Sequence, residues 1–417
     1  MTTAVCVDVG STYTKAALVD LRAGRLVRRA EVRTTAETDV LAGLDQAVAA
    51  VGGAGDPLYV CSSAGGGLRL AVVGYESLVT AQAGHRVGLS AGAQVVHVAA
   101  GELDGRAVAA LRASRPDVVL LVGGTDGGDR AVLLHNAGRL ATARLRVPVV
   151  VAGNADVRPE AATRLTERGI PVTVTGNVLP RIGVLDPLPA RLAIREVFLR
   201  HVIGGKRLSR GGRFASMVRA ATPDAVLAGV ELLADRTGAG VLVVDVGGAT
   251  TDVYSALLPD PESESGPGRD VAGTLWRART VEGDLGVAVG AEGTRTAAAA
   301  EKLALPESGG PEGDRALAAA AATVALRRHA RGHASAPGQP RTGRRDLRAV
   351  RLVVGSGGVL RHGGGQYVLD ALLSDVAGGW AAPVAARAVI DKEYVLAAAG
   401  LLAIDHPEAA AGLVNTL

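Results

Sequence analysis

Short apolar runs punctuate the chain at AVCVDVG, PLYVCSS, PDVVLLVGG, VPVVVAGN, GVLVVDVGG and AVRLVVGSGG, each closing on small or polar residues. Consecutive Val-rich positions leave no polar face, so these runs are expected to be strands covered on both sides. Ala- and Leu-rich stretches lie between them, and TDVLAGLDQAVAAV at 38–51, PDAVLAGVELLADR at 223–236 and DRALAAAAATVALRRH at 314–329 are expected helices. In the second, Val226, Val230 and Leu233 recur at helical spacing with Asp224, Glu231 and Asp235 between them, and Thr222 with Pro223 offers a cap and first turn. Gly- and Pro-rich segments at 259–270, 306–314 and 332–345 are expected loops. Strands alternating with helices predict an α/β protein with largely parallel central strands.

The stretch VDVGSTYTK at 7–15 returns as VDVGGATTD at 244–252, with Val, Asp, Val, Gly and the penultimate Thr in register. The repeat predicts an N-terminal unit, 1–215, with an α/β extension around 115–180, and a C-terminal unit, 216–417. Each copy reads as a hairpin: a buried strand ends at Asp8 or Asp245, Gly10 or Gly247 turns the chain, and a partner strand returns. The first turn presents the hydroxyls of Ser11, Thr12 and Thr14, backbone N–H groups and Lys15; the second presents Gly248, Thr250 and Thr251. Such donors suit phosphate oxygens, and Asp8 and Asp245 are the expected magnesium ligands, because this ion combines carboxylate, water and phosphate oxygens. Two facing hairpins would grip a triphosphate from both sides. A P-loop is absent, since IGGKRL at 203–208 lacks its first Gly and its hydroxyl, and GSGGVL at 355–360 fails the last position of GxGxxG. One D-x-G turn alone is only a tight hairpin; its repetition on Val-rich strands followed by hydroxyls points to phosphate.

Composition narrows the alternatives. A length of 417 residues suits more than one core, and 48% hydrophobic with 21% charged residues suits a globular chain. With two Trp, six Tyr and two Phe, the core must be aliphatic, and so few aromatics weaken a base-stacking reading. The net charge of +4 is spread along the chain, and the densest basic run, RTGRRDLRAVR at 341–351, is expected to be a solvated loop leading into a strand. Cys6 and Cys61 sit in apolar runs and are expected to be buried thiols of a reducing compartment. No signal-like opening or membrane-length apolar run occurs, so a cytoplasmic location is expected. His329 and His333 stand four apart across a helix end and a Gly-rich loop, where exposed side chains rather than zinc ligands are expected. SSAGGG at 62–67 is a candidate anion nest, and GLSAG at 88–92 has the letters of a nucleophile elbow without its buried strand.

The repeated hairpins resemble the phosphate loops of the actin, Hsp70 and sugar kinase superfamily, VDVGSTYTK the first and VVDVGGATTD the second in its Hsp70 form. VVGSGGVLRH at 353–362 resembles its adenosine motif and EYVLAAAGLLA at 393–403 its closing Ala/Gly helix. The four occur in the superfamily's order along the whole chain. The resemblance implies an actin-like ATPase fold, two related domains of mixed sheet flanked by helices with a nucleotide cleft between them. It implies ATP and Mg2+ as ligands, with Gly355, Gly357 and Gly358 admitting adenosine. More narrowly, CSSAGGGLRLAVVG at 61–74, PDVVLLVGGTDGGD at 116–129, HNAGRLA at 135–141, VVDVGGATTDVYS and EGDLGV at 282–287 resemble the glutamate mutase L family. These are accessory proteins of adenosylcobalamin-dependent carbon-skeleton mutases and aminomutases. That resemblance implies a reactivating or chaperone-like ATPase whose partners are mutase subunits, by analogy with the diol dehydratase reactivases.

Hsp70 places a Glu before a Pro, ahead of the second phosphate loop, to orient the attacking water. This chain has Thr222 there, so slow hydrolysis is expected, with Asp126 or Asp129 of GGTDGGD either as a substitute catalytic carboxylate or as a turn residue. No D-x-H-x-x-G cobalamin pattern occurs, so the chain is expected to serve a cobalamin enzyme without holding its cofactor. In this picture Asp8 and Asp245 position magnesium, while Ser11, Thr12, Lys15, Thr250 and Thr251 hold phosphates. A homo-oligomer stays open, and neither nucleic acid nor membrane is an expected partner. Two other readings remain: a small-molecule kinase of the same fold with Asp126 as base, and an actin-like polymer gated by nucleotide.

Overall fold

The N-terminal hairpin seeds a five-stranded sheet. In a computed structural model, which describes residues 2–64, 68–75, 81, 83–84, 87–88, 91, 93–203, 208–258, 276–306, 310–332, 344–376, 380 and 382–417, β1 (Thr3–Val9) pairs antiparallel with β2 (Tyr13–Asp20), and β2 with β3 (Arg25–Arg33). On the other side of β1 lie β4 (Leu58–Ser62) and then β10 (Val218–Ala221), both parallel to it. The second repeat builds the same object. β11 (Gly240–Val246), β12 (Thr251–Ala256) and β13 (Arg277–Glu282) run antiparallel in succession, and β14 (Val350–Ser356) then β15 (Arg387–Ile390) lie parallel beyond β11. Strand order and strand direction are therefore identical in the two sheets.

Between β4 and β10 the chain forms a third sheet from β5 (Arg69–Gly74), β6 (Gln94–Ala100), β7 (Val118–Leu121), β8 (Val149–Val151) and β9 (Val172–Val174). Its order is β6-β5-β7-β8-β9 and every pairing is parallel. Helices Gly105–Ala113, Ala131–Ala143 and Arg158–Thr166 make the crossovers. β7 and β8 are fully buried, as runs without a polar face require. β5 and β6 were not expected from the pattern; they turn the anticipated extension into a sheet of its own.

The expected helices form at Val40–Val51, Thr222–Thr237 and Gly310–Arg331. Asp39 caps the first through the Leu41 N–H. In the second, Ala221 and not Thr222 holds the capping position, which frees the Thr222 hydroxyl. The third begins at Gly310, inside the expected loop 306–314, and is buried almost all round. The expected loop 259–270 and most of 332–345 lie outside the described residues.

Helix Thr222–Thr237 follows β10 and helix Val395–Leu402 follows β15, equivalent places in the two sheets. Both lie between the sheets in one apolar cluster with Ala4, Cys6, Tyr59 and Cys61 of the first sheet and Val241, Val243, Tyr254 and Val354 of the second. They cross backbone to backbone. A Cβ on Gly229 would stand 2.1 Å from the Leu396 carbonyl oxygen, and one on Gly400 1.9 Å from that of Ala225. Gly229→Ala and Gly400→Ala should each lower stability in denaturant unfolding by about 2–3 kcal/mol, because the helices must part. Gly138→Ala, at a helical position where the nearest atom to a new Cβ is 3.9 Å away, should be neutral or stabilising.

Candidate functional site

The two turns close alike: the Gly10 N–H donates to the Tyr13 carbonyl at 3.0 Å and the Gly247 N–H to that of Thr250 at 2.9 Å. Cross-strand register then sets Asp8 opposite Lys15 and Asp245 opposite Asp252. The first turn is braced by Thr34, whose hydroxyl donates to the Gly10 carbonyl at 2.8 Å. The second is braced more heavily, since the N–H of Val287 donates to Gly247 and those of Ala288 and Gly290 donate to Gly248. Ser11, Thr12 and Gly248 are exposed and Thr250 is half-buried.

Asp8 and Asp245 line one cavity of about 360 Å3 between the two sheets, together with Lys15, Thr222, Ser356 and Asp391. The Thr222 hydroxyl donates to Asp8 Oδ1 at 2.5 Å, and the Cys61 thiol approaches the same oxygen at 3.7 Å. Burial pushes the Asp245 carboxyl up to about 6; Lys15 opposes this, and Asp252, Asp8 and Asp391 add to it. Burial works against the Lys15 charge, but Asp8, Tyr394, Asp245 and Glu31 outweigh it and hold the ammonium above its ordinary range. Asp252 is answered by the buried Arg279 at 2.5 Å. The lining carboxylates Asp8, Glu31, Asp245, Asp391 and Glu393 outnumber the lining cations Lys15, Arg29 and Arg361, so the cavity carries an excess of negative charge.

One wall ties the sheets together. Tyr394, in the left-handed region at φ 55°, has Lys15 Nζ 3.9 Å and the Arg361 guanidinium 3.9 Å from its ring centre. Arg29 on β3 pairs with Glu393 at 2.7 Å, and Arg361 approaches Glu31 at 3.6 Å.

The sequence profile of the family described as MutL protein matches residues 4–312 and 307–417. The chain belongs to the MutL, or glutamate mutase L, family. The Protein MutL of Clostridium tetanomorphum is 34% identical over 454 residues, covering 98% of this chain and 97% of that one. Among solved structures, a nucleotide-free acetone carboxylase is similar at 16% identity and a TM-score of 0.34 over 69% of this chain, which spans 48% of that longer chain. A ROK family glucokinase from Streptomyces griseus, in complex with glucose and AMPPNP, is similar at 13% identity and a TM-score of 0.33 over 99% of this chain and 98% of that one. The architecture of this MutL-family chain rests on its own duplicated strand order: it is an actin-like α/β fold of two related mixed sheets.

Several expected residues sit elsewhere. Thr251 is fully buried and donates to the Leu285 carbonyl at 3.0 Å, and Thr14 shares a hydrogen bond with Thr34 at 3.0 Å. Strand alternation turns both toward the core, so they anchor the turns instead of facing a ligand. Asp126 is exposed at the end of β7 and does not line the cavity; its Oδ1 accepts from the Ala155 N–H and from Asn177 Nδ2, both at 2.9 Å. Asp129 Oδ1 accepts from the Val132 N–H. Both carboxylates are turn and helix-end acceptors, and Asp126 is not the expected base. A Cβ on Gly355 would meet Leu360 at 2.6 Å inside the core, and Gly357, at φ 103°, lets β14 approach the Val246 carbonyl; of the three glycines only Gly358 faces open space. His329 is buried, not exposed, between the Thr280 and Ser255 hydroxyls at 2.9 Å. His333, residues 65–67 of SSAGGG and Ser90 of GLSAG lie outside the described residues.

Ser356, Asp391 and Tyr394 were not singled out in the sequence. Asp391 had a usable signal, for it follows β15 as Thr222 follows β10, and it caps the next helix through the Val395 and Leu396 N–H groups.

The Asp245 shift has a stability consequence. Between the unfolded value of about 3.9 and the folded value of about 6 the folded chain holds the extra proton, so stability falls as pH rises through that window. Asp245→Asn should abolish that decline and leave the ligand-free protein more stable than wild type at pH 7 by about 2 kcal/mol in urea unfolding.

Proposed function

We propose that this chain binds Mg-ATP between its two sheets and acts as an ATP-dependent accessory factor for an adenosylcobalamin-dependent mutase, such as glutamate mutase or an aminomutase. The observation that carries the nucleotide reading is the pair of like turns placing Asp8 and Asp245 on one cavity with a single ammonium between them. The donor set suits the ligand: Asp8 and Asp245 would hold the magnesium, and Lys15, Ser11, Thr12 and Thr250 would meet phosphate oxygens. Gly10 and Gly247 commit their own N–H groups to closing the turns, so their part is shape. Gly358 leaves room for the nucleoside end. Bound ATP supplies a γ-phosphate whose presence sets how far apart the two hairpins are held.

Family membership supports the mutase as the object of that motion. Thr222 favours slow hydrolysis, since its hydroxyl is engaged with Asp8 and has no basicity to offer a water. The kinase reading took Asp126 as its base, and Asp126 stands outside the cavity with its Oδ1 accepting from Ala155 and Asn177. No helix among the described residues is long and apolar enough to cross a membrane, which is compatible with a cytoplasmic partner.

Calorimetry of ATP binding with and without magnesium tests the proposal. Wild type should bind ATP in a magnesium-dependent way, Asp245→Ala should lose about a hundredfold in affinity, and hydrolysis should rise only when an inactivated mutase is added. Absence of ATP binding makes the hairpins purely structural. Slow turnover indifferent to the mutase leaves the nucleotide site standing and removes the partner.

A further inference from the structure

Several arginines of this protein are met by carboxylates: Arg191 by Glu231, Arg213 by Asp45, and Arg327 by both Glu301 and Asp375. Four at one place are not. Arg112, Arg115, Arg144 and Arg146 line a single recess of about 320 Å3 floored by Pro116, Leu145 and Val147. All four are exposed, and no carboxylate among the described residues lines the recess or pairs with any of them. The recess lies at the amino edge of the third sheet, where helix Gly105–Ala113 leads into β7 and helix Ala131–Ala143 into β8.

Backbone conformation adds an independent sign. Arg115 and Arg144 have φ of 46° and 49°, in the left-handed region where a side chain is strained and glycine is not. The ends of helices Val40–Val51 and Thr222–Thr237 use Gly52 and Gly238 for the same turn. A cation after a helix is ordinarily explained by the helix's last carbonyls. Here Arg112 alone plays that part, donating to Ala143 at 2.8 Å at the end of helix Ala131–Ala143, and the carbonyls of Ser114 and Arg115 just past helix Gly105–Ala113 accept from Arg69 at 2.7 and 3.1 Å. Arg115, Arg144 and Arg146 therefore remain as like charges gathered over an apolar floor, an arrangement that an external anion relieves.

We propose that this recess is a docking surface for a carboxylate-rich segment of a partner protein. The proposal does not depend on nucleotide binding. Guanidinium forks match carboxylates two bonds at a time, and an open recess with an apolar floor accepts side chains projecting from another surface. Small ligands of parallel sheets occupy the carboxyl edge of the strands, and this is the opposite edge. It is also the edge from which Gln94, at the start of β6, lies beside Gly283 just past β13, so a docked partner stands on the side of the insertion that meets the second sheet.

The test is fluorescence anisotropy of a labelled decaglutamate peptide with the full chain. Wild type should bind saturably and more weakly as salt rises. The double variants Arg115→Gly/Arg144→Gly and Arg112→Gln/Arg146→Gln should each lose about tenfold or more in affinity. Arg106→Gln/Arg168→Gln, which removes the same charge from exposed sites outside the recess, should stay within about twofold. The glycine pair should also raise the thermal midpoint, because it relieves strain. A raised midpoint with unchanged peptide binding would reduce the arginines to structure and overturn the proposal. So would equal losses in the charge-matched control, no saturable binding by wild type, or displacement of the peptide by inorganic phosphate at equal carboxylate and phosphate concentrations, which would make the recess a small-anion site.

Discussion

The two halves of the molecule meet where Gly229 and Gly400 let two helices touch without side chains between them, and the position of every group in the cavity follows from that contact. Each helix springs from the last strand of its own sheet. Thr222 opens one and Asp391 caps the other, so the crossing that joins the sheets also delivers Thr222 to Asp8 and Asp391 to the neighbourhood of Asp245. A Cβ at either glycine meets a carbonyl oxygen at about half the normal separation, which leaves no way to keep both the crossing and the spacing of the carboxylates. Small residues elsewhere in the same cluster, Ala225, Ala398 and Ala399, serve the same close approach.

The cavity's electrostatics follow from that geometry. Bringing Asp8 and Asp245 to one enclosed space with a single lysine raises the energy of the ligand-free centre, visible in the upward shift of Asp245. The ion pairs of Arg29 with Glu393 and of Arg361 with Glu31, with the cations at the Tyr394 ring, close one side of the space. Each joins the first sheet to the segments after β14 and β15, so any widening of the cleft on that side has to break them. The Arg29–Glu393 pair is exposed, and pairs of that kind are individually weak; Arg361 is nearly buried and stands 3.6 Å from Glu31.

Much of this was legible in the sequence, and the failures have a common cause. The Val-rich strands and each copy of the turn follow from letters close together in the chain, and the expectation that Asp8 and Asp245 face one space came from the repeat. What a side chain faces does not. Thr251 and Thr14 carry the same hydroxyl as Thr250 and Thr12, but strand pairing rotates them into the core. Gly355 looks like a glycine that admits a ligand, while Leu360 and Leu369 occupy the space its missing side chain leaves. His329 finds its partners on strands 49 and 74 residues away. Asp126 was an attractive base because a carboxylate in a glycine-rich turn serves equally well as catalyst or as acceptor for its own loop; Asn177, 51 residues on, decides between them.

The two hairpins share a turn but not a charge, and that difference explains why both are carried on one polypeptide. Opposite Asp8 stands Lys15; opposite Asp245 stands Asp252, with Arg279 behind it. A symmetric dimer of the first half would set two ammonium groups against two carboxylates and leave no surplus negative charge. A symmetric dimer of the second half would set two Asp245 carboxylates together with no ammonium, since each Asp252 is engaged by Arg279 of β13. Only unlike halves give two carboxylates and one ammonium at the centre, so fusion into a single chain enforces a heterologous pairing that free half-chains, assembling by symmetry, would not select.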